Sequence, residues 1–290
     1  SSLADALGRH GRAFEEVYVS MVRAGETAGN LDQVLARLAD FMESQAKLRA
    51  KVTGALVYPI IMAIVGTLIM AVLMVVVVPQ ITQMFLDMEQ ELPLNTQLLI
   101  WLSDVLGGYW YVWIVAVPLA TWRALRWTRS PKGRPVWDKL VLRTPMVGVL
   151  ARQIAIARFA RTLGTMLASG VPLLRSLDIA KTILANAVLT KVVETAREQI
   201  QQGESIAATL KRSGEFPSMV THMIAVGGRA GQLEQMLGHV ATAFEADVDL
   251  KLGRLTTLLE PMMILVMGGA VAFVVASILM PILQMNSFIQ

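Results

Sequence analysis

From Gly54 to Thr82 the chain carries no charged residue, and Pro59 and Pro79 within that run stand 20 positions apart. On a helix that separation is about 30 Å, the thickness of a bilayer's hydrocarbon core. A second uncharged run extends from Val105 to Trp122, with Tyr109, Trp110, Tyr111, Trp113 and Trp122 placed like interfacial aromatics at its ends. A third covers Pro261 to Gln290, apolar or small throughout from Ile264 to Met280. These runs predict three membrane-spanning helices. Mean hydropathy is +0.55 and 54% of the residues are apolar, too greasy for an ordinary soluble globule. The 17% that are charged crowd into the blocks 1–52, 123–161 and 175–254, so much of the chain must still lie in water.

The flanks of the spans set their direction. Lys47, Arg49 and Lys51 precede the first; Arg123, Arg126, Arg129, Lys132 and Arg134 follow the second; Lys251 and Arg254 precede the third. Such flanks face the cytoplasm. Between spans one and two stand Asp87, Glu89, Glu91 and Asp104 with no basic residue, so that loop should face the periplasm. The domain organisation reads as 1–53, the C-terminal part of a first cytoplasmic helical module; 54–82, first span; 83–104, short acidic periplasmic loop; 105–122, second span; 123–255, basic segment and second cytoplasmic module; 256–285, third span; 286–290, periplasmic tail. The pI near 9.5 is accounted for by this topology and by attraction to membrane lipid, without nucleic acid.

Sliding the sequence against itself by 202 residues aligns Phe14–Ile81 with Phe216–Leu283 without a gap, and 16 of 68 positions are identical. Chance would give roughly four or five. The pairs include Gly25 with Gly227, Gly29 with Gly231, Leu31 with Leu233, Pro59 with Pro261 and Pro79 with Pro281. The repeat unit is a cytoplasmic helical segment running into a membrane helix, and both copies point the same way, as the charges independently require.

Each copy shows one helix, a turn and a second amphipathic helix. Val17, Tyr18, Met21 and Val22, matched by Met219, Val220, Met223 and Ile224, mark a buried helix face. Gly25 to Asn30 and Gly227 to Gln232 suit helix stops in the left-handed region. Leu31, Val34, Leu35, Leu38, Phe41 and Met42 continue as a helix, as do Leu233, Met236, Leu237, Val240 and Phe244. Upstream of the second copy, Arg158-Phe159, the turn Ser169-Gly170-Val171-Pro172 and two further helical patterns complete a bundle. The first copy starts only near Ser2-Leu3-Ala4-Asp5-Ala6-Leu7, which resembles Ser205–Leu210. The expectation is a truncated first module.

Chemistry is sparse. The absence of cysteine removes disulfides, thiolate nucleophiles and Cys-bound zinc. No Gly-x-x-x-x-Gly-Lys-Ser/Thr loop argues for ATP hydrolysis, and His10, His222 and His239 lack ligand spacing. The reading is no enzyme, no cofactor and no metal. Glu260 precedes Pro261 at the position held by Tyr58 before Pro59; it reads either as a packing hydrogen bond or as a carboxylate reaching the headgroups. The two prolines read as helix-bending or helix-starting residues. Between Arg123 and Arg161 there are ten Lys or Arg and one acid, Asp138. Arg152, Arg158 and Arg161 lie furthest along this run and are candidates to face an acidic partner.

Arg158-Phe159-Ala160-Arg161-Thr162-Leu163, Gly170-Val171-Pro172-Leu173, Phe216-Pro217, His222-Met223-Ile224, Gly231-x-Leu233 and Leu259-Glu260-Pro261 resemble the type II secretion system protein F family, related to the inner-membrane platform proteins of type IV pili. The ending Leu279–Asn286 is more similar to the secretion branch. The resemblance implies an all-α, polytopic platform in the bacterial inner membrane. Its implied partners are a cytoplasmic secretion ATPase, inner-membrane scaffold proteins, pseudopilins and further copies of itself as a homo-oligomer. The family's Gly-Glu is kept at Gly25-Glu26, making Glu26 a partner-contact candidate, but the second copy has Gly227-Gly228. Within the family the alternative is a pilus platform; outside it, a small transporter, against which three spans and parallel repeats both count.

Overall fold

The computed structural model describes residues 2–11, 13–80, 83, 94–108 and 110–288. Residues 84–93 of the expected acidic loop, with Asp87, Glu89 and Glu91, lie outside the described residues, as do Ile81, Thr82, Tyr109 and the last two residues of the tail. Every regular element described is helical: α1 Leu3–Gly8, α2 Glu16–Ala28, α3 Leu31–Val72 followed by a π-helical turn Leu73–Val77, α4 Leu94–Gly108, α5 Trp110–Thr128, α6 Gly133–Arg143, α7 Val147–Ala168, α8 Leu173–Ile183, α9 Ala187–Gln201, α10 Ile206–Arg212, α11 Ser218–Ala230 and α12 Leu233–Phe288. Contacts divide the chain into two units, residues 1–52 with 128–252, and residues 53–127 with 253–290.

The first unit holds two apolar clusters. The larger centres on α7, whose Ile156, Phe159 and Leu163 are surrounded by Leu177, Leu189, Val193, Leu210, Ile224, Leu237 and Phe244. Phe159 meets Phe216 edge-on at 5.6 Å between ring centres, a favoured aromatic geometry. Gly164 lets α7 approach α12, since a Cβ there would stand 3.1 Å from that of Leu237. The smaller cluster joins Val17, Met21 and Val22 of α2 with Val34, Leu38 and Phe41 of α3, and is closed by Met166, Val171 and Ile179 of the α7–α8 region. Arg37 adds a hydrogen bond from its guanidinium to the Ala168 carbonyl, one of those left open at the end of α7.

In the second unit, the Met267 side chain of α12 packs into the space left open at Gly66 of α3, a close fit that small residues permit between membrane helices. The π turn runs directly into Pro79. The Val78 amide bonds to Leu73 O, so the next bond of that register would have to come from Pro79, which has no N–H. The carbonyl of Met74 is thereby orphaned, and the buried Ser103 hydroxyl of α4 donates to it. Met74, Val78, Leu99 and Val274 pack around this bond.

Among the described residues, two helices are long and apolar enough to cross a membrane, Leu31–Gln80 and Leu233–Ser277. Neither Pro59 nor Pro261 starts a helix, because both stand far inside α3 and α12; the helix-starting reading is corrected. Each amphipathic segment runs on into the apolar stretch after it as one continuous helix. α6 and α7 meet at 109°, and α7 is surrounded by other helices in the large cluster, so that pair does not make a span. The expected second span falls across α4 and α5; α5 has Arg123 and Arg126 near its C-terminal end.

Candidate functional site

The three arginines singled out on α7 do not share a face. At 100° per residue, Arg161 stands about 180° and Arg158 about 240° from Arg152. Arg152 donates to Glu215 at 2.9 Å, and Arg161 makes a forked pair of bonds to Glu245 at 3.0 and 2.7 Å with a third to Thr242. Both pairs are half-buried and hold α7 against its own bundle. A bidentate Arg–carboxylate pair of this kind is a positioning device within the fold. Two of the three arginines are thus engaged within the fold, by acids 63 and 84 residues away.

Arg158 is different. It has no hydrogen-bond or ion partner among the described residues, and its Nε, like that of Arg152, is buried without one. It lines a cleft of about 470 Å³ with Phe14, Tyr18, Phe41, Met42, Glu15 and Arg49. Arg49, exposed on α3, also lacks a partner among the described residues. Phe14 and Tyr18 are in ring contact at 4.9 Å. Two unpaired guanidiniums above an aromatic floor, against one carboxylate, suit an anionic group carried on an apolar segment.

Glu26, the other partner-contact candidate, is occupied. Its carboxylate accepts from the Ala4 amide at 3.0 Å and from the Leu3 amide, satisfying the opening N–H groups of α1. The Ala4 bond above all, with the Leu3 bond in the same sense, holds the Glu26 carboxyl below the usual range. Ser2 caps the same helix by accepting from Asp5 N at 3.1 Å.

The glycine motif is structural in both segments. Gly29 and Gly231 are left-handed, at φ 73° and 67°, and end α2 and α11. The following amides, Asn30 and Gln232, bond back to Gly25 O and Gly227 O, closing the same hydrogen-bonded stop twice. A Cβ on Gly25 would stand 3.0 Å from Val34 and 3.3 Å from the Leu31 Cα; on Gly227, 2.7 Å from Met236 and 3.1 Å from the Leu233 Cα. Each glycine thus lets the helix fold back onto its successor. Tyr58 and Glu260 are exposed, and Glu260 has no hydrogen-bond partner among the described residues.

Sequence reading missed one further cluster. Asp178 receives both Lys181 at 3.3 Å and Arg197 at 2.8 Å, and Lys181 also meets Glu194 at 3.2 Å, tying α8 to α9. Its only local signal was the Asp178, Lys181 spacing. No group of acids and histidines among the described residues could hold a metal ion.

A family model described as type II secretion system (T2SS), protein F, matches residues 1–79 and 159–281. The chain is 40% identical to a type IV pilus assembly protein PilC of Thermus thermophilus, over 98% of this chain and 70% of that one. It is 38% identical to a PilC of Myxococcus xanthus, over 100% and 70%. To a type II secretion system protein F of Aeromonas hydrophila it is 37% identical, over 99% and 74%.

Proposed function

The chain belongs to the type II secretion system protein F family, and from that premise we propose that it is the inner-membrane platform of a type II secretion machine, coupling a cytoplasmic ATPase to pseudopilus assembly. The observation that carries this reading is likeness over essentially the whole chain to proteins named for secretion and for pilus assembly. Relatives of both kinds are about equally similar, so the secretion branch rests on the ending Leu279–Asn286 alone. Two cytoplasmic modules of common origin are supported by one family model matching two stretches and by the identical turns at Gly29 and Gly231. Three spans, the second built from the Val105–Trp122 run, agree with the charges on every flank.

Such a chain can transmit work only by touching a protein that hydrolyses ATP. Arg158 and its cleft with Arg49 are the contact we assign to an acidic segment of that ATPase or of a scaffold protein. The experiment is a chromosomal Arg158→Glu. Exported proteins should stay in the periplasm while the variant remains folded and membrane-bound, and a compensating charge reversal on the partner should restore export. Arg152→Glu and Arg161→Glu are unsuitable, since each would place two acids together inside the bundle. A deletion strain that exports normally but loses surface pili would move the protein to the pilus branch. One that loses only the uptake of a solute would overturn the platform reading.

The topology is tested separately. The native chain has no cysteine, so single cysteines at Gln90 and Ser287 should react with an impermeant maleimide outside spheroplasts, and those at Ser44 and Gln201 should not. The reverse pattern would invert the orientation.

A further inference from the structure

Helix α6 is attached to the first unit by what should be its solvent side. Its Asp138 carboxylate accepts from the Ala187 amide at 2.7 Å, at the start of α9, and its Leu142 packs on the large apolar cluster. The opposite side is apolar and turned outward. At 100° per residue, Val136, Leu140, Trp137 and Val141 fall within an arc of about 140°. Of these, Val136, Trp137 and Leu140 are exposed by 57, 46 and 58%. Arg134 borders the arc on one side, and Lys139 and Arg143 border it on the other.

The corner that follows is apolar and exposed as well. Gly148 is pressed so closely on Leu142 O that a Cβ would come within 2.4 Å, and Met146 takes a φ of 66° that non-glycine residues avoid. This tight corner presents Met146, Val147 and Val149, all exposed. A segment facing only water would not display six large apolar side chains within 14 residues.

What covers such a face is set by its charges and by its place in the chain. Residues 129–143 hold five cations and one acid, and that acid is engaged with α9. Only four residues separate α6 from α5, whose Trp122 and Arg126 are in cation–π contact at 5.2 Å, a pairing suited to a membrane interface. An apolar arc with arginine and lysine on both borders lets the ring of Trp137 sit among acyl chains while the cations reach phosphates.

We propose that α6 and its corner form an in-plane membrane helix, with Val136, Trp137, Leu140, Met146 and Val147 inserted into the interfacial layer of anionic phospholipid. The assignment of this layer to the cytoplasmic leaflet rests on the topology proposed above; the insertion does not.

The test uses the full chain in nanodiscs of phosphatidylethanolamine and phosphatidylglycerol, carrying one fluorophore on a single cysteine. Leu140→Cys and Val136→Cys report on the face, Glu198→Cys on α9 serves as the water-facing control, and Val266→Cys in the apolar stretch of α12 serves as the inserted control. Acyl chains brominated near the glycerol should quench positions 140 and 136 at least threefold more than position 198. Replacing phosphatidylglycerol by phosphatidylcholine should reduce that quenching. Equal quenching at 140 and 198, with position 266 quenched normally, would overturn the proposal. A blue-shifted label at 140 that bromine does not touch would overturn it too, and would show a protein or a second copy on the face. A reversed maleimide pattern with quenching intact would move the helix to the other leaflet and refute only the topology.

Discussion

The segments α1–α2–α3 and α10–α11–α12 carry the same sequence pattern through the same glycine stop, yet the helices that leave the two turns bury different sides. In α12, Leu237 and Phe244 are 0 and 5% exposed; at the matching positions of α3, Leu35 and Met42 are 37 and 55% exposed. Leu237 and Phe244 are covered because α7 lies across them, with Gly164 allowing the approach. In α3 the buried side has turned toward Val34, Leu38 and Phe41, which meet α2 and the α7–α8 corner instead. Turn geometry therefore follows local sequence, while the buried face follows whatever helix is available to cover it.

The largest effect should come from testing that asymmetry. Leu237→Ala removes a fully enclosed side chain and should cost about 2 to 5 kcal/mol, read as a lower thermal midpoint in mild detergent. Leu35→Ala should stay within about 0.5 kcal/mol. Equal costs would mean that α3 is covered on the same side as α12, and the contrast would disappear.

The turns themselves should behave alike. Gly227→Ala and Gly25→Ala drive a methyl into Met236 and Val34 and toward the backbone of Leu233 and Leu31, and each should cost about 1 to 3 kcal/mol. Gly228→Ala, with nothing within 4 Å, should instead gain a few tenths to about 1 kcal/mol from helix propensity. A harmless Gly25→Ala beside a damaging Gly227→Ala would show that only the second turn is tightly packed.

The membrane ends of the two long helices also differ. Pro79 follows a π turn in the first, whereas α12 stays helical through Pro281. Ser103→Ala should cost about 1 kcal/mol, because the Met74 carbonyl then has no donor in an apolar site. In a Pro79→Ala background, where residue 79 regains its N–H, the cost of Ser103→Ala should shrink. An unchanged cost would place the role of Ser103 elsewhere.

These contrasts also mark what the sequence could reveal. Helices, their glycine stops and the apolar runs were legible because each depends on neighbours within about one turn of helix or on a single backbone conformation. Long-range electrostatics was not. Nothing near Arg152 or Arg161 names Glu215 or Glu245, so three arginines on one run looked like one basic face. The unbroken passage of α3 and α12 past Pro59 and Pro261 was hidden because proline signals a break in water, whereas neighbouring helices in an apolar medium tolerate it. The Pro79 effect needed a serine from another helix to become visible.

The smallest difference between the two segments is a single acid. Glu26 caps α1 through the Ala4 and Leu3 amides, while the matching position is Gly228 and α10 keeps only its Ser205 cap. The folded Glu26 carboxyl ionises below its ordinary value of 4.5. A depressed acid stabilises the fold above its unfolded pKa, and that contribution fades as pH falls through the lower folded value. Glu26→Gln should therefore leave the midpoint slightly lower at pH 7 and remove part of the steepening on acidification below about pH 4.5. Gly228→Glu should confer the missing acid on the second segment and add a pH dependence of the same sign, if α10 presents its opening amides to residue 228 as α1 does to residue 26. Should Gly228→Glu change nothing at any pH, the two segments share their turns but not the way their short helices dock, and the likeness between them ends at the glycine stop.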